Sequence, residues 1–247
     1  MDTTFLKGMT VVETLAGSDR TRGVAELSRQ LGFSKSNTHR LLQTLVALGY
    51  ADTSEGRYWL TPKIWRLGVN VIERLDVRSL ALVPIRSLAD ETHETVHLAI
   101  LEGNEVTYLE KIDSPQPIRA YTRVGGRAPA YCVATGKAML AFQSEACIAS
   151  IANTLEKHTA NTTVDPAGLA AELAKIREQG YAINLGEWRT GVGGVAAPIF
   201  GAHGDVVAAV GISGPVERLT ENEIVKFASL VCSAAKTIST SLGASNR

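Results

Sequence analysis

Cysteine is scarce in this 247-residue chain: Cys132, Cys147 and Cys232 lie far apart and form no CxxC pair. That argues against a disulfide scaffold and a Cys-rich zinc site, and it favours a reducing, cytoplasmic setting. Long apolar runs are missing too, because Gly, Pro and charges interrupt every candidate before it reaches bilayer length. The first residues carry Asp2, Lys7 and Glu13 inside an apolar pattern and do not read as a secretory signal. Catalytic signatures are absent as well: there is no Ser-centred elbow, HExxH pair or phosphate loop. The glycine-rich stretches at 125–129 (GGRAP) and 191–194 (GVGG) are not GxGxxG, so no dinucleotide cofactor is expected. His93, His97, His158 and His203 lack metal-ligand spacing, and no metal is expected either.

Net charge is also zero, with 25 basic against 25 acidic residues, but it is unevenly spread. Residues 20–66 hold eight basic side chains and three acidic ones, a net +5 on a short segment. A compact basic segment on an acidic remainder suggests a polyanionic partner for the first part only. With 45% apolar and 20% charged residues, the chain has the composition of one or two globular domains with a sizeable core.

The basic segment has the pattern of a winged helix-turn-helix. Phe5–Ala16 is apolar at helical spacing and stops at Gly17. Val24, Leu27 and Leu31 share one face of a second helix that ends at Gly32. Ser34 caps a third helix running to about Leu48. In that third helix Thr38, Leu41, Leu42 and Leu45 form the core stripe. The opposite face offers Ser36, Arg40 and Gln43, flanked by Asn37 and His39. These are forked or short hydrogen-bonding side chains of the kind that reach base edges in the major groove. Lys35 at the helix start and Arg22 ahead of the second helix suit phosphates, and the capping Ser34 is a further DNA-contact candidate. Two β-prone runs around Ser54-Glu55-Gly56 predict a hairpin wing with Arg57 near its tip, over the duplex backbone.

Residues 31–42 (LGFSKSNTHRLL) and 45–50 (LVALGY) resemble the recognition-helix signature of the IclR family of bacterial transcriptional regulators. That resemblance implies an N-terminal winged helix-turn-helix and a C-terminal effector-binding domain of GAF-like fold. Asn37 departs from the threonine common at its place, which bears on base preference. Past Pro62, a helical stripe of Ile64, Leu67, Gly68, Val71, Ile72 and Leu75 marks a linker helix expected to pair with its copy in a second chain. The domain reading is residues 1–62, linker 63–76 and effector domain 77–247. Half-site recognition then calls for a homodimer or homotetramer on double-stranded operator DNA.

The remainder predicts an α+β domain with a largely antiparallel sheet. A helix covers Leu80–Thr92 despite Pro84. Strands are expected at Thr95–Leu101, Glu105–Ile112, Ile118–Val124, Val192–Phe200 and Asp205–Ser213, and helices at Tyr131–Phe142, Ser144–Thr154, Pro166–Gln179 and Thr220–Ser241. Residues 125–129 running into 134–141, and 191–199 with 210–215, are similar to the family's pocket elements. Small residues at Ala134, Thr135 and Gly136 would let amides at a helix start approach an anion. The resemblance adds Asn184, Val192, Gly194, Gly211 and Ser213 to the cavity, with Tyr121, Arg119 and Met139 as further walls. Glycine at 194 and 211 leaves room, which suggests an organic acid bulkier or less polar than glyoxylate or pyruvate. The alternative is a cysteine-dependent enzyme acting on a small acid, with Cys132 activated near a helix start and His93 or His97 as base.

Overall fold

A computed structural model describes residues 3–72 and 77–244 of the chain, which divides into two compact units, Met1–Arg74 and Leu75–Arg247. The first unit runs α1 (Thr3–Ala16), β1 (Arg22–Gly23), α2 (Val24–Leu31), α3 (Lys35–Ala47), β2 (Ala51–Ser54), β3 (Arg57–Leu60) and α4 (Pro62–Ile72). The helices fall where the apolar periodicity predicts. Gly32 ends α2 in the left-handed conformation, and Ser34 caps α3 by accepting from Asn37 N at 3.3 Å. Val11, Leu15, Leu27, Leu41, Leu42 and Tyr58 close a small core.

β2 and β3 pair across Glu55-Gly56, both at positive φ, the conformation of a two-residue type I′ hairpin turn. The two-residue β1, too short to be read from the sequence, completes the wing in the order β1-β3-β2. For the linker, Leu75 with the rest of 73–76, and the side chains at 68–72, lie outside the described residues. Of the expected stripe, Ile64 and Leu67 remain, and Leu67 is exposed.

The second unit is a six-stranded antiparallel sheet in the order β6-β5-β4-β9-β8-β7: β4 (Thr95–Glu102), β5 (Glu105–Ile112), β6 (Arg127–Pro129), β7 (Ala182–Leu185), β8 (Val192–Phe200) and β9 (Val206–Pro215). One face packs on α5 (Val77–Thr92) and α9 (Glu221–Ser241), with Val96, Leu98, Val195, Ala197, Val210 and Ile212 meeting Ile85, Phe227 and Val231. The other face packs on α6 (Ala134–Leu140), α7 (Glu145–Ala152) and α8 (Pro166–Gln179) through Ala99, Ala196, Ala209, Met139 and Leu173. Strand alternation makes the two faces distinct: neighbours along β4, β8 and β9 serve different cores.

Two sequence expectations need correction, and one strand was not foreseen. Ile118–Val124 is not a strand: its apolar side chains Ile118, Tyr121 and Val124 are exposed. Its carbonyls are met by cations instead of a ladder, Lys111 Nζ donating to Thr122 O at 2.8 Å and Arg218 to Ile118 O at 3.0 Å. The strand comes later, as β6. The predicted 131–142 helix breaks into a 3₁₀ turn at 130–132 and α6, with extended Val133 between them. The break lets Gly136 lie against the backbone of Ala130 so closely that a Cβ would fall 2.1 Å from Ala130 O. β7, unread in the sequence, supplies the edge that carries Asn184.

Candidate functional site

The first unit presents a polar helix face. On α3, Ser34, Lys35, Ser36, His39, Arg40 and Gln43 are exposed and Asn37 is half-buried, while Thr38, Leu41 and Leu42 are buried behind them. Arg40 reaches Asn37 Oδ1 at 3.4 Å, and Gln43 donates to the Tyr58 hydroxyl at 3.0 Å, tying the helix to the wing. Lys35 and His39 reach outward from the same face.

Arg22 and Arg57 are less available than the sequence suggests. Arg22 contacts Glu26, Ser18 and Gln30, and Arg57 holds Glu26 at 3.2 Å together with the side chain and carbonyl of Thr21. One carboxylate thus bridges two guanidinium groups, and the Arg57 side chain turns back from the hairpin tip. Desolvation works against ionisation of Glu26, but hydrogen bonding and charge from Arg57 hold its carboxyl below the ordinary range.

The second unit contains a cavity of about 60 Å³ on the α6 side of the sheet. Tyr121, Ala134, Thr135, Asn184, Val192, Gly194 and Ser213 line it, as expected. Gly136, Met139 and Gly211 do not. Gly136 is spent on the Ala130 contact and Met139 is buried in the core under α6. A Cβ on Gly211 would fall 2.6 Å from Ala196 Cβ, and one on Gly194 would fall 2.6 Å from Ile212 O. These two glycines serve close strand packing and do not enlarge the cavity, so the inference to a bulkier ligand loses its basis. A volume of this size accepts roughly four water molecules. Arg119 stands outside, 3.7 Å from Asp113.

The lining also includes residues whose role the sequence reading missed: His97, Tyr108, Thr122, Trp188 and Arg189. His97 shares a 2.7 Å hydrogen bond with Ser213 Oγ and lies 3.4 Å from Thr122 Oγ1. Burial, then the charge of Lys111, depresses its pKa to about 3, so the ring is neutral. Tyr108, 4.9 Å from His97 between ring centres, is pushed up to about 12 by burial. Asn184 accepts from Glu187 N at 2.9 Å through Oδ1, which leaves its NH₂ as the end that can serve a ligand. The available signal for His97 was its place two residues into a strand pairing with the Ser213 segment; for Trp188 and Arg189 local pattern gave none.

Behind the cavity wall, Lys137 of α6 is 0% exposed and bonds Glu187 at 2.7 Å and Glu172. Burial raises the Glu187 pKa against the pull of Lys137. Cys132, the nucleophile of the enzyme alternative, is buried beside Glu187; burial, then the Glu187 charge, pushes its thiol up to about 12, the reverse of the activation that alternative requires. Among the described residues no cluster of His, Cys, Asp and Glu is arranged to hold a metal, and no helix is long and apolar enough to cross a membrane.

A helix-turn-helix with a basic outward face, joined in one chain to a sheet domain with a small cavity of mixed apolar and polar lining, defines a DNA-binding regulator of two-domain type. Comparison with known proteins gives the family. Residues 5–55 match the IclR helix-turn-helix domain, and residues 69–240 match the bacterial transcriptional regulator IclR C-terminal model. The chain is 34% identical to the HTH-type transcriptional regulator KdgR of Escherichia coli over 242 residues, 96% of this chain and 92% of that protein. Its structure is similar to that of the Agobacterium tumefaciens repressor BlcR (TM-score 0.85, 27% identity, 98% of each chain covered). It is also similar to Pseudomonas aeruginosa HmgR (TM-score 0.84, 27% identity, 99% of each chain covered). The chain belongs to the IclR family of DNA-binding transcriptional regulators.

Proposed function

We propose that this chain is an effector-controlled transcriptional regulator that acts in the cytoplasm. It binds a palindromic operator as a dimer or dimer of dimers, and a small organic acid held in the 60 Å³ cavity controls its operator affinity. The observation that carries the reading is the outward face of α3, where Ser36, His39, Arg40 and Gln43 stand exposed over a buried leucine stripe. On this reading residues 1–62 bind DNA, 63–76 link and 77–247 bind effector. The cavity supports the second half: its lining is largely apolar, with Ser213, His97, Asn184 and Thr135 set among apolar groups and able to hydrogen-bond the oxygens of a ligand. Effector binding changes operator affinity only through unequal affinity for the DNA-competent and DNA-incompetent arrangements, and a coupling of about 1–3 kcal/mol suffices for a several-fold to hundred-fold response.

The test uses duplexes selected from a random pool by the full-length chain. Binding to a selected duplex falls steeply with salt, and Arg40→Ala costs about 1–3 kcal/mol on it while relaxing base preference. Equal losses on selected and random duplexes would remove Arg40 from base readout.

A further inference from the structure

Among the described residues lining the cavity, Arg189 alone carries a full charge, and none is acidic. Its guanidinium lies over Trp188, 4.6 Å from the ring centre, and has no hydrogen-bond or ion-pair partner among the described residues. An arginine with no counter-ion, at the mouth of a cavity whose interior is neutral, presents the one strong electrostatic preference of that site, and it is for an anion.

The loop beneath it is held firmly. Gly186 N donates to Val192 O and Val192 N donates to Arg189 O, each at 3.0 Å. The Glu187 carbonyl accepts from Thr162 Oγ1 at 2.6 Å, and its side chain is fixed by buried Lys137. Little backbone freedom at 186–192 is left to be lost when a ligand arrives, so a contact made here retains more of its strength. Trp188 both supports the guanidinium and walls the cavity, which places charge recognition and apolar contact side by side.

We propose that Arg189 is the carboxylate anchor of the effector site. A compact organic acid enters with its carboxylate toward the Arg189 fork and its oxygen-bearing or apolar body toward Ser213, His97 and Trp188. This rests on the cavity being the effector site and adds the residue that makes it select acids over their neutral analogues.

The experiment pairs acids with their amides: lactate with lactamide and benzoate with benzamide. The protein is the full-length Trp59→Phe/Trp65→Phe chain, in which Trp188 is the remaining tryptophan. Titrations follow Trp188 fluorescence, and each variant's thermal melt verifies that it folds. At least one acid binds about tenfold or more tighter than its amide. Arg189→Ala removes that preference with amide affinity nearly unchanged, and Arg189→Lys keeps part of it because the charge stays and the fork goes. Acid preference that survives in Arg189→Ala, or its absence from the parent chain while the amides still bind in a Ser213-dependent way, overturns the anchor and leaves the cavity. If no probe perturbs Trp188 in the parent chain, Ser213→Ala or Arg189→Ala, both the anchor and the cavity reading fall.

Discussion

The two units of this chain bury different things. In the first, the buried polar side chains among the described residues are Ser28 and Thr38, hydroxyls that bond the Phe33 and Ser34 carbonyls. In the second, the interior holds Lys137, Glu94 and His97 as well as Thr95 and Asn184. Glu94 is met by the Arg218 fork and Lys137 by two carboxylates. A surface that greets a large polyanion needs its charges outside and a plain apolar backing. A cavity that recognises a small molecule needs polar groups fixed within the fold, and each must be compensated there. On the proposed reading, the DNA face is made by what the fold leaves out in solvent, and the effector cavity by what it encloses.

The largest expected effect of that difference is on stability. Lys137→Ala leaves Glu187 and Glu172 facing each other without their cation, and removing one partner of a buried pair costs about 3–5 kcal/mol. Urea unfolding of the isolated variant measures it. Adding Glu187→Gln restores part of the loss, since the uncompensated charge is gone. Equal stabilities for the single and double variants would mean that the cluster acts through packing alone, and the contrast in buried charge between the units would lose its energetic meaning.

A smaller, pH-dependent effect comes from His97. Its folded pKa of about 3 lies below the ordinary value of 6.5, so between those limits the unfolded chain binds a proton that the folded chain refuses. Stability is therefore full above pH 6.5 and declines as pH falls through the window, with a slope approaching about 1.4 kcal/mol per pH unit. His97→Gln keeps a hydrogen-bonding side chain beside Ser213 and removes the titration. Urea midpoints between pH 7 and 5 should flatten in that variant relative to wild type; parallel curves would show that the ring charges freely in the folded state.

The same contrast explains what the sequence reveals. The helix-turn-helix is local: core stripe, cap and polar face of α3 fall within 34–48, at spacings that a single helix dictates. The cavity is assembled from six separated stretches, near 97, 108, 121, 134, 184–194 and 213, and no periodicity links them. Family likeness supplied Asn184, Val192 and Ser213, but it also carried over Gly211 and Gly194 as room for a ligand, when both are demanded by strand packing. Ile118–Val124 failed for a related reason. Its alternation is strand-like, yet cationic side chains from elsewhere satisfy its carbonyls, and that can be seen only in three dimensions. Arg189 sits in the bend after β7, where no periodicity marks which side chains line a cavity.

The smallest effect, and the one that sharpens the outward face, concerns Glu26. Its carboxylate holds Arg22 and Arg57, both expected at phosphates, in a partly exposed bridge. Exposed ion pairs of this kind contribute little to folding, so Glu26→Gln should barely move the melting temperature. It should act on DNA instead. Losing one negative charge and freeing two guanidinium groups would tighten binding to random duplex about twofold to tenfold, and steepen the log–log salt dependence by about one unit as a further phosphate is neutralised. Titration of wild type and Glu26→Gln at several salt concentrations reads both. Unchanged affinity with an unchanged slope would mean that Arg22 and Arg57 brace the wing against α2 and take no part in contacting the duplex. The outward face would then narrow to α3 alone, with Lys35 as its phosphate contact.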